Sequence, residues 1–180
     1  VTGGLANSGS NYGIYAQFVT QLIIDSSVVR PTTAQGTLGP VGIFVAWSFA
    51  DIERSTIYGG NNSDTTQTNR AIHLEYSTAK INANTIYSAD PDSNDASIQA
   101  NSKAIELDTG APWDDAAFLG NQAVVITNNL ILVTYARTLA QGIGIAGSSG
   151  ACALRRIHAI SNTFVMKNTA IPTSNQVGIN

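Results

Sequence analysis

Residues 142–147 read Gly-Ile-Gly-Ile-Ala-Gly, and their reading decides the fold. Gly-x-Gly-x-x-Gly is the spacing of a dinucleotide-binding turn, whose glycines let a pyrophosphate approach the backbone where a helix begins. That reading needs a helix directly after the glycines and an acid about 20 residues further on. Here Ser148, Ser149 and Gly150 follow, and the region near position 164 holds Asn162, Thr163 and Phe164. Gly142-Ile143 belongs instead to another regularity. Pairs of a small residue and Ile recur at Gly13-Ile14, Gly42-Ile43, Ala71-Ile72, Ala104-Ile105, Gly142-Ile143 and Gly178-Ile179, spaced 29, 29, 33, 38 and 36 residues apart. Self-similarity on this scale is the mark of a repeat architecture.

A second element follows each of the first five pairs. It reads Ile-x-x-[Ser/Asn/Thr]-x-[Ile/Val] over 23–28, 52–57, 81–86, 126–131 and 160–165. Both elements carry the period of strands. Ile14/Ala16, Ile43/Val45, Ile72/Leu74, Ile105/Leu107 and Ile143/Ile145 alternate with residues destined for the opposite face. The second element is short, β-branched and bounded by Asn and Ser. Only residues 151–160 carry any helical signal. One strand pair cannot bury its own apolar face, so units must stack about 4.8 Å apart to share a core. The expected fold is all-β, a parallel β-solenoid of about five coils of 29–38 residues, with residues 1–12 as a lead-in and 13–180 as one domain. The last pair opens a sixth coil and no capping helix is visible. The domain is therefore expected to be part of a longer chain or of a stacked assembly, with end-to-end self-association.

Coil length, the Gly-Ile pair and the stretches INANTI (81–86), ITNNLI (126–131) and ISNTFV (160–165) resemble the right-handed parallel β-helix, pectin-lyase-like superfamily. Its members include pectin and pectate lyases, polygalacturonases, phage tailspikes and bacterial surface adhesins. The resemblance implies a right-handed helix and side-chain ladders at the turn, here Ser26, Ser55, Asn84 and Asn129, with Thr163 breaking the run. It implies an extracellular, cell-surface or virion setting. The Asp-rich and Gly-His-Gly signatures of polygalacturonases are absent, and so are pectate-lyase-like Asp and Arg motifs.

Composition narrows the partners. Charged residues make up 12% of the chain, its net charge is −3 and its pI is about 5.1, which speaks against a nucleic-acid partner. No apolar run reaches the roughly 18 residues of a membrane span. Cys152 is the single cysteine, so no intrachain disulfide forms.

Aligning the repeats stacks Tyr15, Phe44, His73, Glu106 and Gly144 in one outward column, with Gln17, Ala46, Glu75, Asp108 and Ala146 in the next. Glu75, Glu106 and Asp108 then share a patch with His73, and their mutual repulsion is expected to raise their pKa values. Lys80 or Arg70 is the expected counter-charge. Two carboxylates about 5–9 Å apart suit acid–base or nucleophilic work on a glycosidic bond, which makes these three the candidate catalytic residues. Tyr15 and Phe44 are candidates to stack on sugar rings beside His73. Insertions after Asp108 and after Ala146 bring Trp113, Arg155 and Arg156 to the same side, the arginines suited to an acidic sugar. The segment 90–95 offers Asp90, Asp92, Asn94 and Asp95 as oxygen ligands for Ca²⁺, without the Gly and Glu of an EF-hand; no other cofactor is indicated. Two functions follow. One is a structural or adhesive module of a surface, fibre or phage-tail protein, binding polysaccharide or a cell-surface glycan. The other is a polysaccharide lyase or glycoside hydrolase.

Overall fold

The structure, a computed structural model, describes residues 11–32, 39–61, 67–91, 101–108, 124–134, 139–146, 157–167 and 175–179. These residues hold sixteen strands and no helix. Sheet A runs β1 (Tyr12–Gln17), β4 (Val41–Ala46), β7 (Thr68–Glu75), β10 (Asn101–Asp108), β13 (Leu139–Ala146) and β16 (Asn175–Ile179). Sheet B runs β2 (Leu22–Asp25), β5 (Phe49–Glu53), β8 (Thr78–Asn82), β11 (Val124–Thr127) and β14 (Ile157–Ile160). Sheet C runs β3 (Val28–Val29), β6 (Thr56–Tyr58), β9 (Thr85–Tyr87), β12 (Leu130–Thr134) and β15 (Thr163–Lys167). Every pairing is parallel and joins one repeat to the next. The chain is thus an all-β parallel solenoid of about five coils, and each coil visits sheets A, B and C in turn.

The repeated isoleucines form the core. Ile43, Ile72, Ile105 and Ile143 stack from sheet A, Ile52, Ile81 and Ile126 from sheet B, and Ile57, Ile86 and Ile131 from sheet C, all fully buried. Each such side chain contributes about 2–3 kcal/mol of burial. Stacking like on like repeats one packing solution at every rung.

Two expectations need correction. A coil has three strands where the repeat suggested two. The Ile-x-x-Ser/Asn-x-Ile element bends in its middle, so that Ile52 lies in β5 and Ile57 in β6. The register also slips by one residue in the outermost coils. Ile24, not Ile23, pairs with Ile52, and Val29, not Val28, pairs with Ile57. Ala159, not Ile160, pairs with Ile126, and Phe164, not Val165, pairs with Ile131. A one-residue shift reverses the faces of a strand, which leaves Ile23, Val28, Ile160 and Val165 exposed.

The bend between sheets B and C is the same in every coil. Ser26, Arg54, Ala83, Asn128 and Ser161 all have φ between 48° and 57°, a left-handed conformation that bends the chain sharply from sheet B into sheet C. The next residue builds the ladder. The N–H of Ser27 donates to Ser55 Oγ (3.0 Å), Ser55 N–H to Asn84 Oδ1 (2.9 Å), Asn84 N–H to Asn129 Oδ1 (2.9 Å), and Asn129 N–H to Asn162 Oδ1 (3.0 Å). The ladder therefore begins at Ser27 rather than Ser26 and ends unbroken on Asn162, not at Thr163. Amide groups at Asn84, Asn129 and Asn162 also donate to the carbonyls of Ile52, Ile81 and Ile126, satisfying oxygens that the bend takes out of the sheets.

Candidate functional site

The outer face of sheet A carries the columns expected from the repeat. Tyr15, Phe44, His73, Glu106 and Gly144 are register partners in succession, as are Gln17, Ala46, Glu75, Asp108 and Ala146. A third column, Tyr12, Val41, Arg70, Lys103 and Gln141, lies beside them. Simple alternation from Ile72 and Leu74 would turn Arg70 inward. Instead Ala71 and Ile72 are both fully buried, so the strand takes two inward steps at the Gly/Ala-Ile pair and Arg70 returns to the outer face.

That step decides the electrostatics. Glu106 is 3% exposed. Arg70 Nε donates to its Oε2 and Lys103 Nζ to its Oε1. Burial pushes the carboxyl up, but the two cations and the Lys103 hydrogen bond outweigh it and hold Glu106 below the usual carboxylate range. The expected repulsion-driven rise is thus reversed at Glu106, because its nearest charges are positive. Lys80 plays no part: it pairs with Glu53 and approaches Asp51 on sheet B. His73 lies edge-on to Phe44 with centroids 5.2 Å apart, and its Nε2 sits 3.8 Å from Glu106 Oε2 without a hydrogen bond. Burial dominates over the Glu106 charge and lowers His73 to about 4, leaving it neutral at pH 7.

Glu75 and Asp108 face different surroundings. They are register partners on the neighbouring column, about one strand spacing apart. Burial, then the Asp108 charge, raises Glu75. The expected acidic patch therefore divides into a neutralised carboxylate, Glu106, and a rim pair with one raised carboxyl.

Aromatic rings border this face. Tyr15 stacks on Phe44 (5.1 Å, 10°). Where sheet A turns into sheet B, Phe18, Trp47 and Tyr76 hold φ of 55°, 51° and 46° and stack in turn, at 6.2 Å and then 4.3 Å. These three were not singled out in the sequence, although they recur 29 residues apart, which is the signal that would have found them. Tyr15 is 53% exposed and Phe18 67%, large values for rings already stacked on one side.

The remaining candidates fall as follows. Trp113, Arg155, Arg156, Asp92, Asn94 and Asp95 lie outside the described residues. Asp90 forms an ion pair with Arg30 at 3.3 Å. Among the described residues no group of three or more His, Cys, Asp or Glu side chains could hold a metal ion, and no helix is long and apolar enough to cross a membrane. Gln141 packs over Gly144 in the outward column. A Cβ at Gly144 would sit 2.6 Å from Gln141 Oε1, and both residues are buried. Comparison with protein-family models, with curated proteins and with solved structures returned no match.

Proposed function

We propose that the chain is a structural or adhesive β-solenoid module of an extracellular surface, fibre or phage-tail protein, and that it binds polysaccharide through the outer face of sheet A. The row of aromatic rings carries this reading. Tyr15 and Phe18 are more than half exposed and head two stacks that run alongside Gln17, Glu75 and Asp108. Rings with polar neighbours suit a sugar, whose C–H face packs on a ring while its hydroxyls meet amide and carboxylate groups. The three-sheet coil, the asparagine ladder and the Gly-Ile register support a likeness to the right-handed, pectin-lyase-like superfamily. Titration calorimetry against neutral and acidic polysaccharides tests the reading. Phe18→Ala and Trp47→Ala should weaken binding about tenfold each, roughly 1.4 kcal/mol; binding indifferent to both would sink it.

A second reading, a polysaccharide lyase or glycoside hydrolase, is favoured by one observation: Glu75 is raised beside the carboxylate of Asp108. In that reading Glu75 is the proton donor and Asp108 the base or nucleophile, while the buried Glu106 carboxylate positions Arg70 and Lys103. Loss of glycan cleavage in both Glu75→Gln and Asp108→Asn would support it, and absence of cleavage by the unmodified chain would exclude it.

A further inference from the structure

The corner where the coils pass from sheet C back to sheet A buries polar side chains. Among the described residues these include Asn11, Gln67, Asn69, Ser88 and Ser102. Four of the five have partners. Asn11 Nδ2 donates to Thr32 O at 3.1 Å, Gln67 Oε1 accepts from the Gly39 N–H, and Ser102 Oγ donates to Ser88 Oγ at 2.6 Å. Asn69 is the exception. It is 0% exposed, and neither its Oδ1 nor its Nδ2 meets a hydrogen-bonding group of the protein. Exchanging oxygen and nitrogen on the amide changes nothing, because both ends are unpartnered. Interior amides are almost always paired, since taking them out of water without compensation is costly.

The column in which Asn69 stands explains why the protein itself does not pair it. In the ladder between sheets B and C, an asparagine amide meets the asparagine of the next coil. Asn69 has no such neighbour. On one side lies Pro40, held there by the bond from the Arg70 N–H to Pro40 O at 3.1 Å, and a proline side chain offers no polar atom. On the other side the register partner is Ser102, whose hydroxyl proton is turned to Ser88.

We propose that Asn69 holds a buried water molecule, which it shares with the Ser102 hydroxyl of the next coil. The chemistry selects the ligand. The amide offers donors and an acceptor side by side, and water both donates and accepts. Ser102 Oγ has committed its proton to Ser88 and keeps lone pairs for a further donor. None of the five side chains carries a charge, so the corner is unsuited to an ion. The water joins β7 to β10 inside the turn, as the asparagine amides join successive coils at the bend between sheets B and C. The inference is independent of the polysaccharide reading, which concerns the outer face of sheet A.

Magnetic resonance of the full chain tests it. The side-chain amide protons of Asn69 should show cross-relaxation to water with the sign of a tightly held molecule. Oxygen-17 relaxation dispersion should lose one long-lived water in Asn69→Leu. Leu matches the branched shape of Asn and removes both polar ends, so the urea midpoint of this variant should not exceed that of the unmodified chain. A dispersion that Asn69→Leu leaves unchanged overturns the proposal. So does a raised midpoint, because removing a truly unpaired buried amide is stabilising. Amide protons that touch Ser102 directly and show no water contact overturn it as well. That last measurement uses the unmodified chain and decides the matter even where Asn69→Leu does not fold.

Discussion

The solenoid bends in two contrasting ways. Between sheets B and C, five coils repeat one left-handed residue followed by one Ser or Asn, and the same hydrogen bond links each coil to the next. Between sheets A and B, three coils bend at stacked aromatic residues. After β10 and β13 the chain instead carries its longer connections, 109–123 and 147–156. The first bend has polar side chains turned inward to satisfy the backbone, and every coil must answer that demand alike. The second turns its rings outward in front of a shorter ladder, in which Val19 N–H donates to Ser48 Oγ and Ser48 N–H to Ser77 Oγ, both serines buried. Both bends thus tie coil to coil through buried polar side chains; five coils share the first ladder, while the second adds an outward row of rings free to acquire a surface role.

The comparison breaks most visibly at Asn129. Its amide donates to Ile81 O and to Asn162 Oδ1, and its oxygen accepts from the Asn84 backbone and side chain. Asn129→Ala leaves several buried groups unpaired and should cost about 3 kcal/mol or more in urea-induced unfolding, whereas Trp47→Ala should cost about 1–2 kcal/mol. An equal loss at the two positions would erase the distinction. The acid limb of stability comes next. His73 has a folded pKa of about 4 against 6.5, so the unfolded chain takes up its proton first. Its contribution is fully present above pH 6.5 and is lost as pH falls toward 4, up to about 3 kcal/mol. Glu106, lowered in the fold, adds to the same loss at more acid pH. His73→Phe should flatten the stability profile between pH 6.5 and 4.5, and a wild-type profile already flat there would contradict the burial. The smallest effect belongs to the exposed ion pairs of sheet B. Lys80→Ala should leave the melting temperature unchanged within error in moderate salt.

The middle coils were legible because their isoleucines stand alone among polar neighbours: in 80–82 and 85–87 only Ile81 and Ile86 can fill the core. The outer coils were not. Ile23-Ile24 and Val28-Val29 each offer two β-branched residues, and no local rule says which turns inward; stacking on Ile52 and Ile57 decides it. In the last coil Ala159 takes an inward position beside a tempting Ile160. The columns of the candidate site were readable for the same reason as the core. Its charge state was legible only as a choice between Lys80 and Arg70, because the double inward step at Ala71-Ile72 that brings Arg70 to Glu106 violates strict alternation. Neighbours contributed by such an irregularity reverse the pKa shift that the acids alone would suggest.

The direction of the hydrogen bonds has a mechanical consequence. All three sheets pair coil to coil, so their bonds run along the solenoid axis. Tension along that axis pulls in line with them, and the ladder bonds break with the coil they anchor. The chain should yield in steps rather than all at once, each coil between equivalent points such as Gly13 and Gly42 paying out 29 residues, about 100 Å of extended chain. A module of this kind acts as a graded tether, giving way by one rung while the rungs behind it still hold.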